Sequence, residues 1–150
     1  MKRNTATALA VVVLGWFYFN HMQDPVARYT AYPFEYRDVV VSAAEKEEVS
    51  PSLVASVILA ESKYKNTAES ETGALGLMQL MPDTARWVAQ QMGHSNYTDR
   101  QLKEPEINIQ LGTWYLGYLL KEFNGDEVQA LAAYNAGRGH VESWIKEKNW

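Results

Sequence analysis

Three of the five prolines stand at the head of segments whose apolar residues recur with helical spacing. Proline suits the first turn of a helix, where its missing N–H has no intrahelical partner and its φ is already helical. Pro51 follows Ser50, a good N-cap type, and opens a run in which Leu53, Val54, Val57 and Ile58 share one face. Pro82 opens a second helix to about residue 92, with Gly93 as its C-cap. Pro105 opens the longest, to about residue 124. Ile107, Leu111, Trp114, Tyr115, Tyr118 and Leu119 mark its buried face, and Gly125 ends it. Further helices are expected over residues 35–48 (Tyr36, Val39, Val40 and Ala43 on one face), from Asp126 to about residue 135, and over 141–148. Residues 63–76 and 94–104 read as loops, 77–81 as a short apolar turn, and Gly137 and Gly139 as breaks. No alternating strand pattern or internal repeat interrupts this, so the expected fold is all-α with short connections.

The helix opened by Pro51 carries an anomaly. Its apolar stripe continues, four residues after Val57 and seven after Val54, onto Glu61. A carboxyl ending a core-facing stripe is partly desolvated, which raises its pKa. An acid still protonated near neutral pH is what general acid catalysis needs. The competing reading ends the helix near Glu61 and lets the side chain escape into water.

Composition bounds the rest. With 47% hydrophobic residues and 21% charged, 150 residues make one domain with a real core. There is no cysteine, and His21, His94 and His140 form no ligand spacing, so neither a disulfide framework nor a metal motif is expected. The N-terminus differs: Lys2 and Arg3 precede a run over residues 6–19 that is apolar apart from Thr7 and ends in Trp16, Phe17, Tyr18 and Phe19. Residues 1–20 therefore read as an export signal, and the lack of a small-residue cleavage site favours an uncleaved membrane anchor over a cleaved signal peptide. The run is shorter than the ~20 residues of a comfortable span. Residues 21–34, with Pro25 and Pro33, read as a linker, and 35–150 as the functional domain. Setting aside Lys2 and Arg3 leaves twelve basic against eighteen acidic side chains, a poor balance for binding nucleic acid.

Three separated segments share a pattern: Ile58-Leu59-Ala60-Glu61-Ser62, then Gly73-Ala74-Leu75-Gly76-Leu77-Met78-Gln79-Leu80-Met81-Pro82, then Ala132-Ala133-Tyr134-Asn135-Ala136-Gly137. Together with the long helix around Pro105-Glu106-Ile107-Asn108-Ile109, they resemble the soluble lytic transglycosylase family, peptidoglycan-cleaving enzymes with a compact goose-type-lysozyme-like helical domain. The resemblance implies that Glu61 is the catalytic carboxylate and that Ser62, Gln79, Met81, Tyr134 and Asn135 contact or line the glycan cleft. It implies peptidoglycan glycan strands as partner and no metal or cofactor. Family members commonly continue past the last helix with a segment beside the cleft, so residues 35–150 are also compatible with a domain shortened at its C-terminus.

The residues agree with that implication on their own terms. Gln79 offers both donor and acceptor to sugar hydroxyls or N-acetyl groups, and Tyr134 offers a ring and a hydroxyl able to bond Glu61. A glycosidase usually needs two carboxylates. If this chain worked that way, Glu61 would need a partner such as Glu69, Glu71 or Asp83, but these sit in polar loops or, for Asp83, in the first turn of a helix where its charge is already favourable. The resemblance implies that one glutamate acts first as acid and then as base, leaving a 1,6-anhydromuramic acid end. A lysozyme-type hydrolase and a non-catalytic peptidoglycan-binding protein remain the alternatives.

Overall fold

A computed structural model describes residues 35–147. The expected anchor over residues 1–20 and linker over 21–34 lie outside the described residues. Six helices make up the domain: α1 (Arg37–Glu47), α2 (Pro51–Ser62), α3 (Pro82–Gln91), α4 (Pro105–Glu122), α5 (Glu127–Ala136) and α6 (Arg138–Lys146). Among the described residues there is no strand, only the isolated bridges Glu69–Leu75 and Leu75–Leu80. The all-α expectation holds.

All three prolines occupy the first turn of their helices, as the sequence indicates. Ser50 is the N-cap residue of α2, but its hydroxyl bonds Ser52 Oγ at 2.7 Å instead of capping. Asp126 does cap: its carboxylate accepts from the Gln129 N–H at 3.0 Å. Two loop expectations need correction. Residues 94–104 contain a 3-10 turn, Asp99–Lys103, held by a Thr98–Gln101 capping box that buries Leu102. Gly137, at φ +92°, breaks the chain, whereas Gly139 lies inside α6.

Helix α4 is the axis of the domain, packing against α1, α3, the 3-10 turn and α5. Being surrounded, it is buried on more than one stripe. Its buried residues are Asn108, Ile109, Leu111, Gly112, Thr113, Leu116, Gly117 and Leu119. Ile107, Trp114, Tyr115 and Tyr118, expected in the core, are only partly buried and pack at its margin. One cluster joins Leu80, Ala85, Val88, Ala89, Leu102 and Leu111, and a second joins Leu119, Phe123, Ala130, Ala133 and Val141. Gly112 is required by close approach: a Cβ there would run into the Met78 side chain.

Candidate active site

The apolar stripe of α2 buries Val54, Val57 and Ile58, and the helix continues through Ser62. Glu61 is therefore carried in the last helical turn and does not escape past the helix end. Its side chain is half-buried. Desolvation raises its pKa above the usual glutamate value, and among the described residues no cation or hydrogen-bond donor holds the charged form. Glu61 opens onto a cavity of ≈390 Å³.

One wall of that cavity is the loop between α2 and α3. Leu75 and Leu80 exchange backbone hydrogen bonds at 2.9 and 3.1 Å, folding the Gly-Leu-Met-Gln segment back on itself. Gly76 sits at φ +79°, and a Cβ there would strike the side chain of Asn108 and the carbonyl of Leu102. Asn108 fastens this turn to α4. Its Nδ2 donates to the carbonyls of Leu75 and Leu102, both at 2.9 Å, and its Oδ1 accepts from the Met78 N–H at 2.7 Å. Three bonds satisfy a fully buried amide, which is otherwise costly in a core.

Gln79 lines the cavity in a left-handed conformation, φ +48°. Its Nε2 donates to the carbonyls of Gly76 and Ala68 at 2.9 and 3.1 Å. The amide nitrogen is thus structural, and the carbonyl oxygen has no hydrogen bond among the described residues. Backbone strain held by local bonds in this way is a feature of ligand sites. Met81 also lines the cavity and is 41% exposed; Leu80 borders it from the core, and Met78 is core.

The opposite wall is the end of α5: Tyr134, Asn135, Ala136 and Gly137. The Tyr134 hydroxyl donates to the carbonyl of Met78 at 2.9 Å, rather than to Glu61 as the sequence suggested. Burial first, and then the nearby charges of Glu61 and Tyr115, push its phenol pKa well up, so it stays protonated. Ser62 is not brought into the cavity. It is buried, and its hydroxyl bonds back to the Ile58 carbonyl at 3.1 Å, because one step beyond Glu61 on a helix faces a different neighbour.

Sequence reasoning missed Ser70, Thr72, Thr84 and Tyr115 as cavity residues. Tyr115 lies on the apolar stripe of α4, and its spacing carries no signal that this face opens at the margin. Asn108 stands in the Pro105-Glu106-Ile107-Asn108-Ile109 segment of the resemblance, where nothing in the sequence assigns it a partner. Glu61 is the only carboxylate lining the cavity among the described residues. Glu69 pairs with Lys103 at 3.5 Å, Asp83 pairs with Arg86, and Glu71 is exposed in the loop. Among the described residues no cluster of His, Cys, Asp or Glu is placed to hold a metal ion. The arrangement offers one tunable proton, hydrogen-bonding groups on both walls and an open trough.

Residues 38–150 match the family model for the transglycosylase SLT domain. The chain is 36% identical over 115 residues to the soluble lytic murein transglycosylase of Salmonella typhimurium, an overlap of 76% of this chain and 18% of that protein. It is 38% identical over 119 residues to membrane-bound lytic murein transglycosylase F of Desulfosudis oleivorans, covering 75% of this chain and 24% of the relative. Among solved structures, the inactive Glu-to-Gln mutant of lytic transglycosylase Slt from Pseudomonas aeruginosa superposes with a TM-score of 0.73 at 38% identity, over 77% of this chain and 19% of that one. The chain spans about a fifth to a quarter of the length of these relatives.

Proposed function

The chain belongs to the transglycosylase SLT family, and from that premise we propose that it cleaves the β-1,4 bond between N-acetylmuramic acid and N-acetylglucosamine in peptidoglycan without consuming water. The observation that carries this reading is a single desolvated carboxyl, Glu61, in a polar trough with no second carboxylate on its walls among the described residues.

In the proposed cycle the Glu61 carboxyl gives its proton to the glycosidic oxygen as the bond from that oxygen to C1 of muramic acid breaks. The N-acetylglucosamine side leaves with a free hydroxyl. The substrate's own N-acetyl group stabilises the positive charge at C1. The Glu61 carboxylate then takes the proton from the muramic C6 hydroxyl, whose oxygen bonds C1. The product is a 1,6-anhydromuramic acid end, and Glu61 is protonated again. An acid that must also act as base works best with an intermediate pKa, and burial moves Glu61 in that direction.

Gln79 Oε1, Asn135, Met81 and Tyr134 line the proposed path of the strand. Ser62, whose hydroxyl is bonded to the Ile58 carbonyl, acts on this reading by holding the last turn of α2 that carries Glu61. The proposal also sets the domain outside the cytoplasmic membrane, tethered by residues 1–20. That part rests on the basic start and apolar run of the sequence.

Digestion of purified peptidoglycan followed by mass spectrometry tests the reading. Anhydro-ended muropeptides from the wild type, lost in Glu61→Gln, are expected. Reducing-end products would identify a hydrolase instead, and binding without any product would identify a non-catalytic module.

A further inference from the structure

The trough wall formed by Asn135, Ala136 and Gly137 hangs on a junction of one residue. Helix α5 ends at Ala136 and α6 begins at Arg138, so Gly137 alone turns the chain from one to the other. It does so at φ +92° and ψ +139°, a conformation open to glycine and strained for any residue with a Cβ. Its N–H donates to the Ala133 carbonyl at 2.9 Å, and its own carbonyl accepts from the backbone N–H groups of His140 and Val141 at 3.2 and 3.4 Å. The Ala136 carbonyl is the last of α5 and has no intrahelical partner. Among the described residues no backbone N–H reaches it.

His140 supplies the missing donor. Its Nδ1 lies 2.8 Å from the Ala136 carbonyl oxygen. A carbonyl oxygen has no proton to give, so Nδ1 is the donor, and the neutral ring carries its proton on Nδ1 and not on Nε2. The ring reaches past the glycine, its Nδ1 3.7 Å from where a Cβ on Gly137 would stand. The neighbouring Val141 is fully buried with Leu119, Phe123, Ala130 and Ala133, which seats this turn of α6 on the core. The exposed imidazole is thus a strut that runs from a seated helix, across a one-residue hinge, onto the wall of the trough.

We propose that His140 is a positioning residue for the glycan strand: its Nδ1–H bond to the Ala136 carbonyl sets how the end of α5 presents Asn135 and Gly137 to the trough. The inference rests on the glycan-cleaving reading of that trough and deepens it. Glu61 stands on α2, and Tyr134 is tied separately to Met78. The strut therefore acts on strand binding and leaves the proton transfers in place.

The first test is ¹⁵N NMR of the full chain, which reads which nitrogen of the neutral His140 ring carries the proton; Nδ1 is expected. The second is calorimetric titration of soluble, uncrosslinked glycan strands into the full chain carrying Glu61→Gln, alone and with a change at His140. His140→Ala is expected to weaken binding about fivefold, as befits one lost neutral hydrogen bond. Asn places its amide nitrogen where Nδ1 stands, so His140→Asn is expected to stay within about twofold of the parent. Gln places its nitrogen one atom further out, so His140→Gln is expected to resemble His140→Ala. With Glu61 intact, His140→Ala is expected to raise KM by the same factor and to keep kcat within about twofold. Thermal melts check that each variant is folded. A neutral ring protonated on Nε2, strand affinity unmoved by His140→Ala, no rescue by His140→Asn, or a loss confined to kcat overturns the proposal. Failure of the functional reading shows elsewhere, as absence of cleavage products from wild-type protein on peptidoglycan.

Discussion

The hydroxyl of Tyr134 donates to the backbone carbonyl of Met78 at 2.9 Å, linking the end of α5 to the Gly-Leu-Met-Gln turn across the trough that holds Glu61. The two walls of the candidate site are thereby tied by one side chain. Tyr134 works through position, since its proton is committed to Met78, and its ring lies 5.5 Å from that of Tyr115.

Tyr134→Phe keeps the ring and removes that tie. A loss of about 1–2 kcal/mol in urea unfolding is expected, because the Met78 carbonyl loses its donor. Turnover on peptidoglycan is expected to fall about tenfold as the loop relaxes, since small displacements of a catalytic constellation are expensive. A variant equal to wild type in both would show that the bond does not position the loop.

Asn108→Ala removes all three bonds that pin the turn to α4 and strands the Met78 N–H and the Leu102 carbonyl, while the Leu75 carbonyl keeps the Leu80 N–H. The expected destabilisation is about 3 kcal/mol, read as a lower urea midpoint. Gly76→Ala is expected to disturb the same junction from the other side, since the new methyl meets Asn108 at a backbone angle that favours glycine. Turnover by Gly76→Ala is the second readout.

The pH dependence follows from the raised pKa of Glu61. Cleavage needs its carboxyl protonated at the first step, so the rate is expected to fall as pH rises through that raised value. Stability shows the same sign. The folded state holds this proton more tightly than the unfolded one, so the contribution is fully present below the ordinary value of 4.5 and is lost as pH rises through the folded value. Glu61→Gln has no such loss. Its melting temperature relative to wild type is expected to be higher at about pH 7 than at about pH 4. A difference independent of pH would mean that Glu61 is solvated.

Arg86 bridges Asp83 and Asp99 on the surface. Arg86→Ala is expected to cost less than about 1 kcal/mol in chemical denaturation, because exposed ion pairs are screened and flexible. A larger loss would show that this bridge anchors the 3-10 turn to α3.

Much of this was legible in the residues because it depends on local rules. Proline at a first helical turn and glycine after a last one act within a few residues, and they marked α2, α3 and α4 correctly. Glu61 could be read because its stripe continues over two turns of one helix. What was not legible depends on which elements meet. The partner of the Tyr134 hydroxyl is 56 residues away, and nothing near Tyr134 distinguishes Met78 from Glu61. The face of α4 is set by neighbours on several sides, so Trp114 and Tyr118 fell at the margin while Asn108 and Thr113 fell inside. Ser62 shares a motif with Glu61 but not a helix face. The 3-10 turn escaped notice because its signal, Thr98 with Gln101, is a four-residue capping box with only Leu102 to bury.

The central claim is that Glu61 alone serves as acid and then base, with the substrate's own hydroxyl in place of water. Digestion of peptidoglycan in ¹⁸O-labelled water, with mass spectrometry of the new chain ends, tests it most directly. The account predicts unlabelled ends, each one water lighter than a reducing end, formed by the wild type and reduced about 100-fold or more in Glu61→Gln. Labelled reducing ends, or products undiminished in Glu61→Gln, would contradict it.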